Sequence, residues 1–235
     1  MAFKDLLVTE IFHSLQGETS LSGLRFAFIR LTGCNLRCTY CDSAYAFKGG
    51  SRMSIDDVVS TLKPYAVKHA LLTGGEPLLQ KQSIELIERL NHEGYEVSVE
   101  THGEISIEKA SKSARIVMDV KTPSSGMCRG FWKENLKFLK AGDEVKFVLA
   151  SEEDYFWARD LILKTNFPVR EILFSAAQPV KNTVGTAGSN DELSNGYVRA
   201  ITTRWLAEKI LEDRLPVRLQ MQLHKEIWGQ DRKGV

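Results

Sequence analysis

The sequence is poor in the residues that staple a chain or carry it through a bilayer. It has 4 cysteines in 235 residues, too few for the disulfide framework of a small secreted domain. No apolar run reaches the roughly eighteen residues of a membrane span. An excess of one charge is lacking too: 31 lysines and arginines stand against 30 acids, a net charge of +1. That balance gives no reason to expect nucleic acid or another polyanion as partner. The opening Met1-Ala-Phe-Lys-Asp-Leu-Leu7 has no long apolar stretch after its positive charge, so no signal peptide is expected. No repeat or linker divides the chain. One domain over residues 1–235 is expected, working in a reducing cytoplasm.

What is present is concentrated. Three cysteines, Cys34, Cys38 and Cys41, fall within the stretch from Arg30 to Ser43. Thiolates at C-x-x-x-C-x-x-C spacing can hold one metal cluster from a single loop. A cubane 4Fe–4S cluster normally takes four thiolates, so three leave one iron open to another ligand. Structural zinc would prefer four protein ligands in paired arrangements. The remaining cysteine, Cys128, stands alone far downstream and is not expected to be a ligand. The cluster is the expected occupant.

Apolar periodicity predicts strands at 6–12, 25–31, 69–73, 95–101, 116–120, 144–149, 171–174 and 217–223. It predicts helices at 54–62, 82–92, 107–113, 132–140, 151–164 and 198–211. Ser54 with Asp57, and Ser151 with Asp154, read as capping boxes. Residues 175–196 have little to bury and are expected to be mobile or a lid. Strands alternating with helices imply right-handed βαβ units and a mostly parallel sheet. A closed eight-strand barrel usually needs about 250 residues. The expected fold is therefore α/β, a partial (incomplete) TIM-like barrel with mostly parallel strands. In such folds the loops at the C-terminal strand ends carry function. The cysteine loop, Gly74-Gly-Glu-Pro77, Glu100-Thr-His-Gly103, Asp119-Val-Lys-Thr-Pro123 and Gln178-Pro179 all fall there. They are expected to converge on one face.

The cysteine loop and Gly74-Gly-Glu-Pro77 together resemble the radical S-adenosylmethionine (SAM) enzymes. Leu15-Gln-Gly-Glu18, Phe28-Ile-Arg-Leu31, Cys41-Asp-Ser43, Asp119-Val-Lys-Thr-Pro-Ser-Ser-Gly126 and Leu223-His-Lys225 extend the likeness over nearly the whole chain. In combination the chain resembles the 7-carboxy-7-deazaguanine synthase family. The resemblance implies a cluster on Cys34, Cys38 and Cys41. It implies SAM held by Gly74, Gly75, Glu76, Glu100, Asp119, Lys121 and Gln178. A 6-carboxy-5,6,7,8-tetrahydropterin substrate would lie against Leu15, Gln16, Gly17, Glu18, Arg30, Thr73 and His224, the last expected in the final strand. Mg2+ would sit on the Ser43 hydroxyl, and flavodoxin or ferredoxin would supply electrons to a homodimer.

The implied chemistry is reductive cleavage of SAM, hydrogen abstraction from the pterin, ring contraction and loss of ammonia. The tail runs on past Lys225, with Trp228 expected as an apolar anchor and Val235 expected to reach the substrate. Two rivals share parts of the pattern. A glycyl-radical-enzyme activase would share the cysteine and Gly-Gly-Glu-Pro motifs but not the Leu-Gln-Gly-Glu start. A non-catalytic iron–sulfur protein would need a fourth ligand.

Overall fold

Nine strands form one open sheet in a computed structural model, which describes residues 5–177, 201–229 and 232–235. The first strand, β1 (Leu6–Leu15), pairs antiparallel with β2 (Arg25–Leu31) on one side and with the short β3 (Ser51–Met53) on the other. From β2 onward the sheet runs parallel through β4 (His69–Gly74), β5 (Glu96–Thr101), β6 (Arg115–Asp119), β7 (Glu144–Leu149), β8 (Glu171–Ala176) and β9 (Arg218–Gln220). Among the described residues the order β3-β1-β2-β4-β5-β6-β7-β8-β9 leaves β3 and β9 as edges. The barrel is therefore partial, as the strand count and chain length imply. Among the described residues no helix is long and apolar enough to cross a membrane.

The central strands, β2 and β4 to β8, are largely buried on both faces, and the two faces differ. In β2, Ala27, Ile29 and Leu31 join the main core under the helices, whereas Phe26 and Phe28 pack with Leu71 in a second cluster. Arg30 shares their side, because alternate residues of a strand share a face. β7 repeats the arrangement. Val145, Phe147 and Leu149 enter the main core, which leaves Glu144, Lys146 and Val148 on the inner face. The outer layer comprises α1 (Ile55–Leu62), α2 (Gln82–His92), α4 (Glu152–Lys164) and α5 (Thr203–Glu212). Ser54 and Asp57 form the expected capping box. Ser151 caps α4 by accepting from Asp154 N, but the Asp154 carboxylate instead accepts from Ser124 N and Ala150 N, both at 2.9 Å. That second box is half formed because its acid is holding a site loop.

Several expected elements change. The helix predicted at 107–113 is only a 3-10 turn at Ala110–Lys112. Asn135 pins its approach, donating to Gly103 O and Ile105 O and accepting from Ile107 N. The helix predicted at 132–140 is α3 (Trp132–Asn135) followed by a 3-10 turn at Leu136–Phe138. β1 runs three residues longer than predicted, to Leu15, and β3 was not predicted at all. The helix predicted from 198 begins at Thr203 among the described residues, capped by Thr202. Most of the loop predicted at 175–196, and Gln178 with it, lies outside the described residues.

The last predicted strand, 217–223, stops at Gln220, and the chain turns into α6 (Leu223–Trp228). His224 is therefore on a helix, not a strand. Leu223 N is drawn away from the sheet by a 2.9 Å bond to Gly17 O. Trp228, expected as a buried anchor, is exposed on the same helix.

Candidate active site

The strand ends open onto one cavity of about 560 Å3, lined by residues from every parallel strand end from β2 to β8, from the loop after β1, from α6 and from the tail. Cys34, Cys38 and Cys41 all line it. Desolvation pushes the Cys38 thiol up to about 11 and raises Cys34 as well. Among the described residues no three His, Cys, Asp or Glu side chains are gathered tightly enough for a single metal ion. The three thiols share this cavity, and Cys128 is exposed outside it. The three-thiol set fits a cluster with one open corner.

The cysteine loop is held from both sides. Thr39 N and Oγ1 donate to Ser125 O and Ser124 O at 3.1 and 2.7 Å, fastening the loop to the turn after β6. Tyr40 OH meets Thr122 Oγ1 and Val148 O, both at 3.1 Å. On the β4 side the two glycines are obligatory. A Cβ on Gly74, whose φ is +135°, would sit 2.1 Å from Leu31 O, and one on Gly75 would sit 2.0 Å from Gly33 O. The close approach that these glycines allow is to the backbone leading into Cys34.

Glu76 does not line the cavity; it is fully buried behind it. Its carboxylate accepts from Leu78 N, Thr101 Oγ1 and His102 N at 2.9 to 3.0 Å. Burial raises it to about 7. Its side chain therefore braces the turn, and only the neighbouring glycines face the cavity.

Asp119 Oδ2 accepts from Lys121 Nζ at 2.7 Å, while Asp119 Oδ1 is buried with no partner among the described residues. A buried carboxylate oxygen without a donor is costly, and this one belongs to a cavity-lining residue. It fits a ligand that brings a hydroxyl. Glu100 accepts from Thr73 Oγ1 at 2.9 Å, and burial raises its pKa against the pull of Lys146.

The substrate-side residues also converge. Leu15, Gln16, Gly17, Glu18, Arg30, Ser43, Thr73, His224 and Val235 all line the same cavity. A Cβ on Gly17 would lie 2.1 Å from His224 Nδ1, so only glycine admits α6 here. Burial lowers the His224 pKa against the opposing pull of Glu18. Arg30 Nε donates to Glu10 Oε1 at 2.7 Å, and Tyr45 OH donates to the same oxygen at 2.7 Å. The pair uses Nε alone and leaves the terminal amino groups outside it. The Ser43 hydroxyl makes no capping bond to the turn it precedes. Lys225 Nζ donates to Asp42 Oδ2 at 2.9 Å, tying α6 to the end of the cysteine loop.

The radical SAM superfamily pattern matches residues 28–141. A 7-carboxy-7-deazaguanine synthase from Koribacter versatilis is 40% identical over 232 residues, covering 97% of this chain and 99% of that protein. The chain belongs to this family. A second member, from Chlorobaculum tepidum, is 35% identical across 98% of the chain and 97% of its own length. The solved structure of QueE from Escherichia coli has the same fold, with a TM-score of 0.69 at 20% identity, covering 94% of this chain and 96% of that one.

Family membership accounts for the shared motifs, and the structure adds residues that they did not flag. Lys146 is buried on the inner face of β7 and forms an ion pair with Glu18. Desolvation is the largest single influence and would raise the Glu18 pKa, but Lys146, His224 and Gln222 together outweigh it and the net shift is downward. Glu18 Oε1 also accepts from Gln222 Nε2 at 2.7 Å. Tyr45 also lines the cavity, as do Tyr40, Asp42, His102 and Lys225, which lie inside the sequence motifs without an expected role there. A signal for Lys146 was available: Glu144 and Lys146 are charged residues at alternate positions of an otherwise apolar strand.

Proposed function

We propose that the protein converts 6-carboxy-5,6,7,8-tetrahydropterin to 7-carboxy-7-deazaguanine with loss of ammonia, as a radical SAM lyase of 7-deazapurine and queuosine biosynthesis. The observation that carries this reading is the meeting of two halves in one cavity. The Cys34–Cys38–Cys41 loop and the Gly74-Gly75 turn form one half. The Leu15-Gln-Gly-Glu18 loop facing His224 forms the other.

Bound together, a 4Fe–4S cluster and SAM supply one-electron chemistry that starts hydrogen abstraction. Cys34, Cys38 and Cys41 would hold the cluster, leaving one corner open for SAM. The backbone of Gly74 and Gly75 would meet its amino group, and Asp119 Oδ1, without a partner among the described residues, would accept from a ribose hydroxyl. Glu100 and Lys121 complete that half, and Gln178 is assigned to it from the sequence alone. The terminal nitrogens of Arg30 present a planar fork to the substrate carboxylate. The Ser43 hydroxyl contributes one oxygen to Mg2+, a hard cation that takes its remaining ligands from substrate and water. Leu15, Gln16, Gly17, Thr73 and His224 enclose the pterin, and Glu18, fixed by Lys146, takes a hydrogen bond from its amino edge. Gly234 and Val235 close the cavity from the tail side. A flavodoxin or ferredoxin supplies the electron, and the enzyme acts in the cytoplasm as a homodimer.

The deciding experiment is anaerobic turnover of the carboxy-tetrahydropterin with SAM, Mg2+ and a strong reductant, using protein with a demonstrated cluster. Formation of 7-carboxy-7-deazaguanine and ammonia is expected. Loaded protein that cleaves SAM but leaves this pterin unchanged would refute the substrate assignment.

A further inference from the structure

The loops that follow β2, β4 and β5 are joined at the cavity wall by a buried polar unit, with Glu76 behind the lining and His102 reaching it. Glu76 is at its centre, 0% exposed. Its backbone N–H donates to Gly33 O at 2.8 Å, and its carboxylate accepts from His102 N at 2.9 Å. The His102 side chain is only 4% exposed. Its Nδ1 accepts from Glu104 N at 3.0 Å, so the ring proton resides on Nε2. That nitrogen lies 2.8 Å from Asn35 Oδ1 and 3.3 Å from Glu76 Oε2. Gly33 and Asn35 are the residues on either side of Cys34. Both are thus held by one carboxylate–imidazole unit, Gly33 through the backbone of Glu76 and Asn35 through the ring of His102.

We propose that His102 is a positioning residue for the cluster: its ring, braced by Glu76, fixes Asn35 and with it the backbone that presents the Cys34 thiol. The proposal rests on the reading of the three cysteines as cluster ligands. His102 has no hydrogen bond to a thiol among the described residues, so its effect passes through Asn35. The Asn35 side chain is exposed and has no other hydrogen bond there. Without the ring, Asn35 would lose its side-chain tether, and Cys34 would keep only the Gly33 anchor, the bond from Leu36 N to its Sγ at 3.4 Å and the bond from Arg37 Nη1 to its carbonyl at 2.8 Å. Outer partners that orient metal ligands typically contribute about 10–100-fold in metal affinity.

The test is iron loss from anaerobically reconstituted protein challenged with a chelator, with iron and sulfide counted per chain and folding checked by circular dichroism. His102→Ala and Asn35→Ala should each lose iron on the order of 10–100-fold faster than wild type. The double variant should be no worse than the faster single one, since both break the same link. His102→Gln, whose amide can donate from near the Nε2 position, should retain iron close to wild type. Folded Asn35→Ala that keeps iron at the wild-type rate would overturn the proposal. It decides the matter even if His102→Ala fails to fold, because Asn35 lies on the surface. Wild-type protein that takes up no iron would instead overturn the cluster reading itself.

Discussion

Lys146 on β7 and Glu18 in the loop after β1 form a buried ion pair across 128 residues of sequence. Removing one partner of such a pair strands the other charge in a dry interior, typically at about 3–5 kcal/mol. Lys146→Met should lower the unfolding free energy in urea by that amount. The double variant Lys146→Met with Glu18→Gln should recover much of it, while binding of the pterin stays impaired. Equal loss in the single and double variants would show that the pair is not what stabilises the loop.

Gly75→Ala tests the seat of the cysteine loop. Its Cβ would stand 2.0 Å from Gly33 O and 3.0 Å from Cys34 Cβ. The obstacle is backbone, so the loop must move; overpacking of this kind costs about 1–3 kcal/mol. A lower melting temperature together with reduced iron per chain is expected. Normal iron content would mean that the loop can shift without losing its ligand geometry.

The pH dependence of stability should expose His102. Burial holds its ring down to about 4, against 6.5 in an unfolded chain. Its contribution is present in full above pH 6.5 and is lost as pH falls toward 4, because only the unfolded chain then binds the proton. Glu76, raised by burial to about 7, has the opposite slope, with stability present below pH 4.5 and lost as pH rises to 7. The two largely cancel in wild type, so a comparison with His102→Gln is required. Between pH 6.5 and 4 the wild type should lose about 3 kcal/mol relative to that variant, at about 1.4 kcal/mol per pH unit. A difference that stays constant with pH would rule out a buried neutral ring.

Ser43 gives a test of the Mg2+ assignment. Ser43→Ala should weaken the response of turnover to added Mg2+ while leaving iron content and SAM binding as they are. Ser43→Thr keeps the oxygen and should behave like wild type. An unchanged Mg2+ response in Ser43→Ala would remove this residue from the metal site.

Much of this arrangement was legible in the sequence, and the failures have physical causes. The parallel strands showed themselves because both their faces are buried, which produces apolar runs such as Ala70-Leu-Leu72. The cysteine spacing and the paired glycines were readable because their chemistry is local. Helix length at 107–113 and 132–140 was misjudged because Asn135, distant in sequence from the first segment, takes up its polar groups. Lys146 was missed because a charge in a strand shows its purpose only once its partner is placed. The fate of Gln222 to Trp228 depended on a contact with Gly17 that no local pattern contains.

The tail offers a last test. Lys233 Nζ lies 4.2 Å from the centre of the Tyr45 ring, and that tyrosine also bonds Glu10 beside Arg30. A cation over an aromatic face contributes about 0.5–2 kcal/mol. Lys233→Ala should therefore raise the KM for the pterin several-fold, with little change in kcat or in melting temperature. An unchanged KM would show that the tail lies at the cavity without helping to close it.

The contact between Gly17 and His224 also orders events during synthesis. Most residues that hold the cysteine loop lie between Leu31 and Asp154, with partners mostly in neighbouring βα units, and Lys225 of α6 later adds its tie to Asp42. The pterin half cannot exist until α6 has emerged and met a loop made some two hundred residues earlier. Domains synthesised at about 5–20 residues per second would therefore pass through a stage with a metal-ready pocket and no substrate wall. At that stage the cavity is open toward the missing α6. Among the described residues α6 is the last helix, and it is the one that turns a general radical-generating pocket into a selective one.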